Sequence, residues 1–286
     1  MFFCWAYIIL NAFSALLRQY MGSQLSPALT LLIGSMIAIL YFNLVNVLHL
    51  KRLYRVAYAY KKDWLILGVL IAMIWICAIY VPVYISASLY VFLFFGILGE
   101  CGLISTCLKK PSKILKFSIV GIMILLISSL VSSVMVGVSY EKIIGLTLVC
   151  MGGIAGFGYV KYSHSFMQKT GLKSTEVLAI RFYPTLLISM LLTPVGHSHS
   201  LSLFSMALAV LVGFSCLILP IYLSQKGIEQ GGPETFAIIS SFMPLVTGIF
   251  QDLILSPVAT HSFIIYAVYG LFASFPYLVK RFKIFF

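Results

Sequence analysis

Two ionisable side chains sit inside apolar runs. Arg181 lies in TEVLAIRFYPTLLISMLL (175–192) and Glu100 in LYVFLFFGILGECGLIS (89–105). A guanidinium keeps its charge and presents a planar fork of donors that fits a carboxylate or phosphate. A carboxyl can meet an amine or carry a proton. In an apolar medium such groups are costly, and each is by default a candidate functional residue. At about 1.5 Å per helical residue, Arg181 falls roughly 10 Å and Glu100 roughly 12 Å from the same basic edge. Three readings of Arg181 stand open. It pairs with Glu100, it clamps an anionic group of a ligand, or it snorkels to the headgroups beside a protonated Glu100. A cation and an anion facing one cavity would suit a zwitterion such as an amino acid. Trp75, Tyr84 and Tyr183 are candidates to stack on a ligand there, with Tyr80 and Phe182 as further aromatic neighbours.

The elements that must hold these residues follow from composition. Of 286 residues, 62% are hydrophobic and 9% charged, where a soluble domain carries about 25% charged residues. The solvent of this chain is therefore lipid, and the expected class is an all-α polytopic membrane protein. Apolar runs predict ten spans near 2–19, 27–48, 64–81, 83–107, 115–137, 143–161, 174–194, 201–223, 234–255 and 262–279. Sixteen of the 19 Lys and Arg fall in one set of loops and the C-terminus, and only Arg18 and Lys142 on the other side. The positive-inside rule then predicts cytoplasmic N- and C-termini in a cell (inner) membrane. The first run lacks the basic start and cleavage site of a signal peptide and reads as a retained helix. The net charge of +12 is dispersed in short groups, which argues against nucleic-acid binding.

The break at MVGVSYEKIIG (135–145) predicts two five-span units, 1–138 and 139–286. An odd span count makes such repeats inverted, with a site between them near the midplane. Local echoes support duplication. LSPALTLLIGSMIAIL (25–40) parallels STEVLAIRFYPTLLIS (174–189), and IYVPVYISASLYVFLFFG (79–96) parallels QGGPETFAIISSFMP (230–244).

Ten spans in two halves resemble the drug/metabolite transporter superfamily, in its EamA-like branch. That family carries Ser-Pro-x-x-x-x-x-x-Arg at its second and seventh spans. Here Ser174 to Arg181 fits with Thr175 in place of Pro, while Ser26 and Pro27 fit with Gly34 in place of Arg. Pro233 and Pro244 match its ninth-span prolines, Gly96 takes the equivalent fourth-span position, and Ile119–Ser129 is similar to its fifth span. The usual Gly-Glu closure is missing, with Lys109 and Lys110 at the first such place. The resemblance implies a secondary transporter of small metabolites, working by alternating access and without a cofactor.

Pro184, Pro244 and Gly96 are the hinge candidates. Pro82 and Pro233 read as helix starts. Arg18 and Asp252, both near the outer ends of their spans, are a candidate outer gate. Gly152 and Gly156 give a small face for packing within the chain, with homodimerisation as the alternative to a monomer. His197, His199 and His261 have no acidic or cysteine companions in their loops, so no metal is expected, and the six cysteines read as reduced. Glu100 is the candidate group for proton coupling. No phosphate loop or catalytic triad motif is present, so the chain is not expected to be an enzyme. The alternative reading, an integral-membrane enzyme or lipid-handling assembly factor, would call for interfacial clusters of His, Asp or Arg, against seven acidic residues in all.

Overall fold

The computed structural model describes residues 1–22, 26–135, 137, 139–193, 210, 213–254 and 260–282. Among them there are helices and turns and no strands. In lipid that is the expected result, since a helix satisfies its own backbone and an open sheet edge does not. In chain order the helices are α1 (Phe2–Gly22), α2 (Pro27–Val45), α3 (Leu50–Ala59), α4 (Lys61–Tyr84), α5 (Ala87–Lys109), α6 (Lys113–Met135), α7 (Tyr140–Thr170), α8 (Ser174–Arg181) and α9 (Tyr183–Leu192). A wide π-type turn, Gly213–Ile218, leads into α10 (Leu219–Gly231). After it come α11 (Pro233–Ser240), α12 (Met243–Ile254) and α13 (Thr260–Phe282). Seven helical segments among the described residues are long and apolar enough to cross a membrane, those spanning 174–192 and 233–251 each being built from two helices. Large apolar side chains such as Leu40, Leu44, Ile124, Leu187 and Leu191 point outward. The chain is an all-helical, multi-pass membrane protein.

Helix α5 is the axis of the bundle. Its apolar stretch is 67% buried, against 33% for α6 at the periphery. Glycines set how closely the neighbours approach it. A Cβ at Gly153 would lie 2.8 Å from Ile97, one at Gly156 3.0 Å from Leu98, and one at Gly152 2.5 Å from Cys77 of α4. The small face of α7 is thus covered by α4 and α5 of the same chain. A Cβ at Gly96 would lie 2.6 Å from Leu126 of α6. Helix α5 runs unbroken through Gly96, which serves there as a close-packing position.

Several sequence boundaries move. The basic stretch 51–62, expected as a loop, holds the amphipathic helix α3, with Leu53 and Ala57 buried and Lys51 and Arg52 exposed. Pro82, expected to start a helix, lies inside α4 near its end. The real turn is at Ser86, whose hydroxyl accepts from the Leu89 N–H (3.4 Å) and caps α5. Helix α7 continues to Thr170, where Gly171 ends it at φ +66°, a left-handed cap that suits glycine. The first half of the eighth expected span 201–223, residues 201–212, lies outside the described residues apart from residue 210, as do His197 and His199.

The seventh expected span is two helices, α8 and α9, broken at Phe182. The ninth is likewise α11 and α12, broken at Ser241–Phe242. Pro184 and Pro244 each stand at the second residue of the new helix, where a missing N–H matters least. The Pro184 ring packs directly on α4, so that a Cβ at Gly68 would lie 2.3 Å from its Cγ and 2.9 Å from its Cδ. A proline ring cannot swing aside. Gly68→Ala is therefore expected to lower stability by about 1–3 kcal/mol and to depress the melting temperature in detergent. Gly158→Ala is the matched control, since its Cβ would meet only the Leu70 side chain at 3.6 Å, and it should melt no lower than the parent.

Candidate functional site

Arg181 is the last residue of α8 and is 1% exposed. Its position depends on how the break behind it is satisfied. Pro184 has no N–H for the Ile180 carbonyl, and the Trp64 indole N–H of α4 donates to that oxygen instead, at 2.6 Å. From α2, the Asn43 amide donates to the Ala179 carbonyl (3.1 Å), and the amide of Asn46, which caps the C-terminus of α2, donates to the Thr175 carbonyl (3.0 Å). Three side chains from two neighbouring helices thus hold α8 by its own carbonyls. Buried backbone acceptors left open would cost about 1–3 kcal/mol each.

The N-terminus of α8 is tied down as firmly. The Lys173 N–H donates to Glu176 Oε2 at 2.8 Å, and the Ser174 hydroxyl donates to Glu229 of α10. Lys226 Nζ meets the same Glu229 oxygen at 2.9 Å. Burial pushes the Glu229 carboxyl up. The hydrogen bonds from Ser174 and Lys226, with the charge of Lys226, outweigh it and hold the group below its ordinary value. On the same end of the bundle, Glu176 lies 4.0 Å from Arg52, Asp63 lies 3.9 Å from Lys169, and Glu234 pairs with Lys109. These four carboxylates are engaged at the basic end.

No such partner reaches Arg181: among the described residues it forms no ion pair. Its Nη1 donates to the Gln225 side-chain oxygen at 2.9 Å, and its Nε has no acceptor. The guanidinium carbon stands 4.9 Å from the centroids of both the Tyr159 and Phe182 rings. Such cation–π contacts, when desolvated, contribute about 2 kcal/mol. Gln225 is fixed in turn. Its oxygen accepts from Tyr159 Oη at 2.5 Å, and its amide donates to Ser163 Oγ at 2.8 Å. This arrangement fixes the orientation of the charge and leaves it uncompensated.

Arg181 lines a partly open cavity of about 80 Å3. Its walls come from α1 (Tyr7, Asn11), α4 (Ile71, Ile74, Trp75), α5 (Phe94, Leu98), α7 (Gly156, Tyr159, Val160), α10 (Pro220, Ile221, Ser224, Ile228) and α11 (Phe236). No carboxylate is among them.

Of the sequence candidates, the structure brings Arg181 and Trp75 together in this cavity. Glu100 does not pair with Arg181 and does not line the cavity. It is 6% exposed, with neither carboxyl oxygen hydrogen-bonded. Residues four apart share a helix face, so Glu100 lies on the side of Gly96, which packs against α6. Tyr84 lines a separate hollow of about 590 Å3 at the other end of the bundle, among Ser86, Ser88, Ser129, Ser132, Ser133, Ser139 and Lys142. Tyr183 lies in a third hollow, about 350 Å3, with Tyr54 and Trp64 at the basic end. Its hydroxyl bonds to that of Tyr54, which donates to Asn43 Oδ1 at 2.6 Å. The side chains of Arg18 and Asp252 lie outside the described residues. Sequence reasoning missed Gln225, Tyr159, Tyr7 and Asn11. Gln225 and Asn11, neutral amides in or beside apolar runs, carried the available signal, since buried amides need partners.

No protein-family profile and no curated protein matches the chain. A solved structure described as "Crystal structure of protein" is similar to it in fold, with a TM-score of 0.61, 14% identity, and coverage of 98% of this chain and 99% of that one. At that identity the likeness speaks for the fold alone.

Two outcomes are expected from this geometry. Trp64→Phe keeps the ring packing but strips the Ile180 carbonyl of its donor, and should cost about 1–3 kcal/mol in thermal unfolding. An unchanged melting temperature would mean the carbonyl finds water or another donor. Glu229 has its carboxyl held below the ordinary value of 4.5, so its stabilisation is full above that value and is lost as pH falls through its lower, folded-state value. The melting-temperature gap between the parent and Glu229→Gln should close as pH drops from 7 to below about 4.

Proposed function

We propose that the chain is a secondary transporter of small metabolites in the cell (inner) membrane, working by alternating access at the Arg181 cavity. The observation that carries this reading is Arg181 itself: a fully buried cation without a carboxylate partner, facing a cavity at a helix break. A purely structural charge is expected to be paired or hydrogen-bonded throughout, and this one is not. Broken helices that expose polar groups around a central site are the usual means by which transporters build a site within the membrane. The cavity also draws its walls from both sides of the expected division, α1, α4 and α5 before residue 138 and α7, α8, α10 and α11 after it. That distribution supports a site between two inverted five-helix repeats, 1–138 and 139–286, in a ten-span drug/metabolite transporter-like arrangement.

In this reading the breaks at Pro184 and Pro244 are the hinges, and Arg18 with Asp252 forms the outer gate. The basic end, where α3, Lys109 and Lys226 lie, is cytoplasmic together with both termini. Glu100, buried apart from the cavity with its oxygens unpartnered, is the group placed to couple transport to protons.

The test is an untargeted comparison of metabolites inside and outside cells carrying the parent protein, Arg181→Ala, Arg181→Lys, or none. The parent is expected to redistribute a small set of metabolites. Arg181→Ala should abolish that effect while the protein remains in the membrane. Arg181→Lys should reduce it, because an ammonium keeps the charge but loses the fork. Identical profiles for parent and Arg181→Ala would remove Arg181 from the function. Identical profiles with and without the parent would remove the transport reading.

A further inference from the structure

We infer that the Arg181 cavity takes a small monoanion with an apolar body, a short-chain carboxylate in its chemistry, and excludes zwitterions and amines. The inference rests on the proposed reading of the cavity as the ligand site, and it narrows the ligand class there. A zwitterion needs an acid for its ammonium. Glu100 is the only acidic residue within the described spans deep enough to serve, and it is absent from the cavity wall. Of the others, Asp63, Glu176, Glu229 and Glu234 are engaged at the basic end, Glu141 is exposed at the start of α7, and the Asp252 side chain lies outside the described residues. An ammonium entering the cavity would therefore meet a guanidinium and no counter-charge.

The guanidinium stands over two rings, Tyr159 and Phe182. One edge donor, Nη1, is taken by Gln225, while the Nε–H has no acceptor. The missing acceptor is what a carboxylate oxygen supplies. The size follows from the volume. A single water needs about 10–15 Å3, so about 80 Å3 holds a body of only a few heavy atoms. Ile71, Ile74, Leu98 and Ile221 in the wall favour a hydrocarbon tail over a second polar group.

The experiment compares three compounds of one chain length on the purified full chain in detergent. Butyrate carries the negative charge alone, 2-aminobutyrate carries both charges, and butylamine carries the positive charge alone. Binding is read by calorimetry and by tryptophan fluorescence, for which Trp75 is the reporter in the cavity wall. Butyrate is expected to bind saturably, with 2-aminobutyrate and butylamine each weaker by about tenfold or more, since like charges in a desolvated site repel strongly. Arg181→Gln and Arg181→Lys, each checked for a single symmetric elution peak, should weaken butyrate by about tenfold or more and erase the discrimination. Equal or tighter binding of 2-aminobutyrate or butylamine, butyrate binding that survives both variants, or no saturable butyrate binding at all would each overturn the inference. Proteoliposome flux separates it from the reading beneath it. If butyrate binds through Arg181 but does not cross the bilayer, the transport reading fails and the ligand class stands.

Discussion

In a bilayer there is no water to complete what a helix break leaves open, and none to solvate a charge. Both problems meet within four residues, Arg181 to Pro184. The structure handles them by different means. The backbone is answered by side chains: Trp64 takes the carbonyl that Pro184 orphans, and Asn43 and Asn46 hold two more. The charge is only partly answered, by one amide oxygen and two aromatic faces. Three side chains are spent on carbonyls, while among the described residues no carboxylate pairs with the guanidinium that borders the cavity.

The rest of the bundle follows from keeping that segment in place. Helix α4 must approach Pro184 closely, which requires Gly68, and must also present Trp64. Helix α7 must bring Tyr159 and Ser163 to the Arg181–Gln225 pair, and its glycines let it lie close against α4 and α5. At the basic end, ion pairs join α3 to α8, α4 to α7 and α5 to α11, and the Ser174–Glu229 hydrogen bond joins α8 to α10. Exposed pairs of this kind contribute little individually. Their importance is positional, since each holds a carboxylate at the basic end, outside the Arg181 cavity.

How much of this could be read beforehand differs from residue to residue. Spans with a clear apolar run and charged flanks, such as Lys61–Tyr84 and Lys113–Met135, were legible because hydropathy and length are local properties. Arg181 and Pro184 stood out for the same reason, as local violations of an apolar pattern. Helix α3 was not legible as a helix, because its Lys and Arg read as loop charge unless the buried stripe of Leu53 and Ala57 is noticed. The separation of Glu100 from Arg181 was out of reach altogether. Matched depth from one edge says nothing about which way a side chain faces around its helix, and that angle is set by the packing of Gly96 and Gly99 on α5. Gln225 was overlooked because neutral amides carry no charge signal, although a buried amide must find partners.

The claim that Arg181 is kept for a ligand and not for the fold is tested most directly by the thermal stability of Arg181→Met in detergent with no ligand added. Replacing a buried charge that lacks a counter-ion with an apolar side chain of similar length relieves its desolvation. The account therefore predicts a melting temperature equal to or above the parent's, alongside lost function. A melting temperature lowered by several degrees would contradict it and assign Arg181 to holding the bundle together.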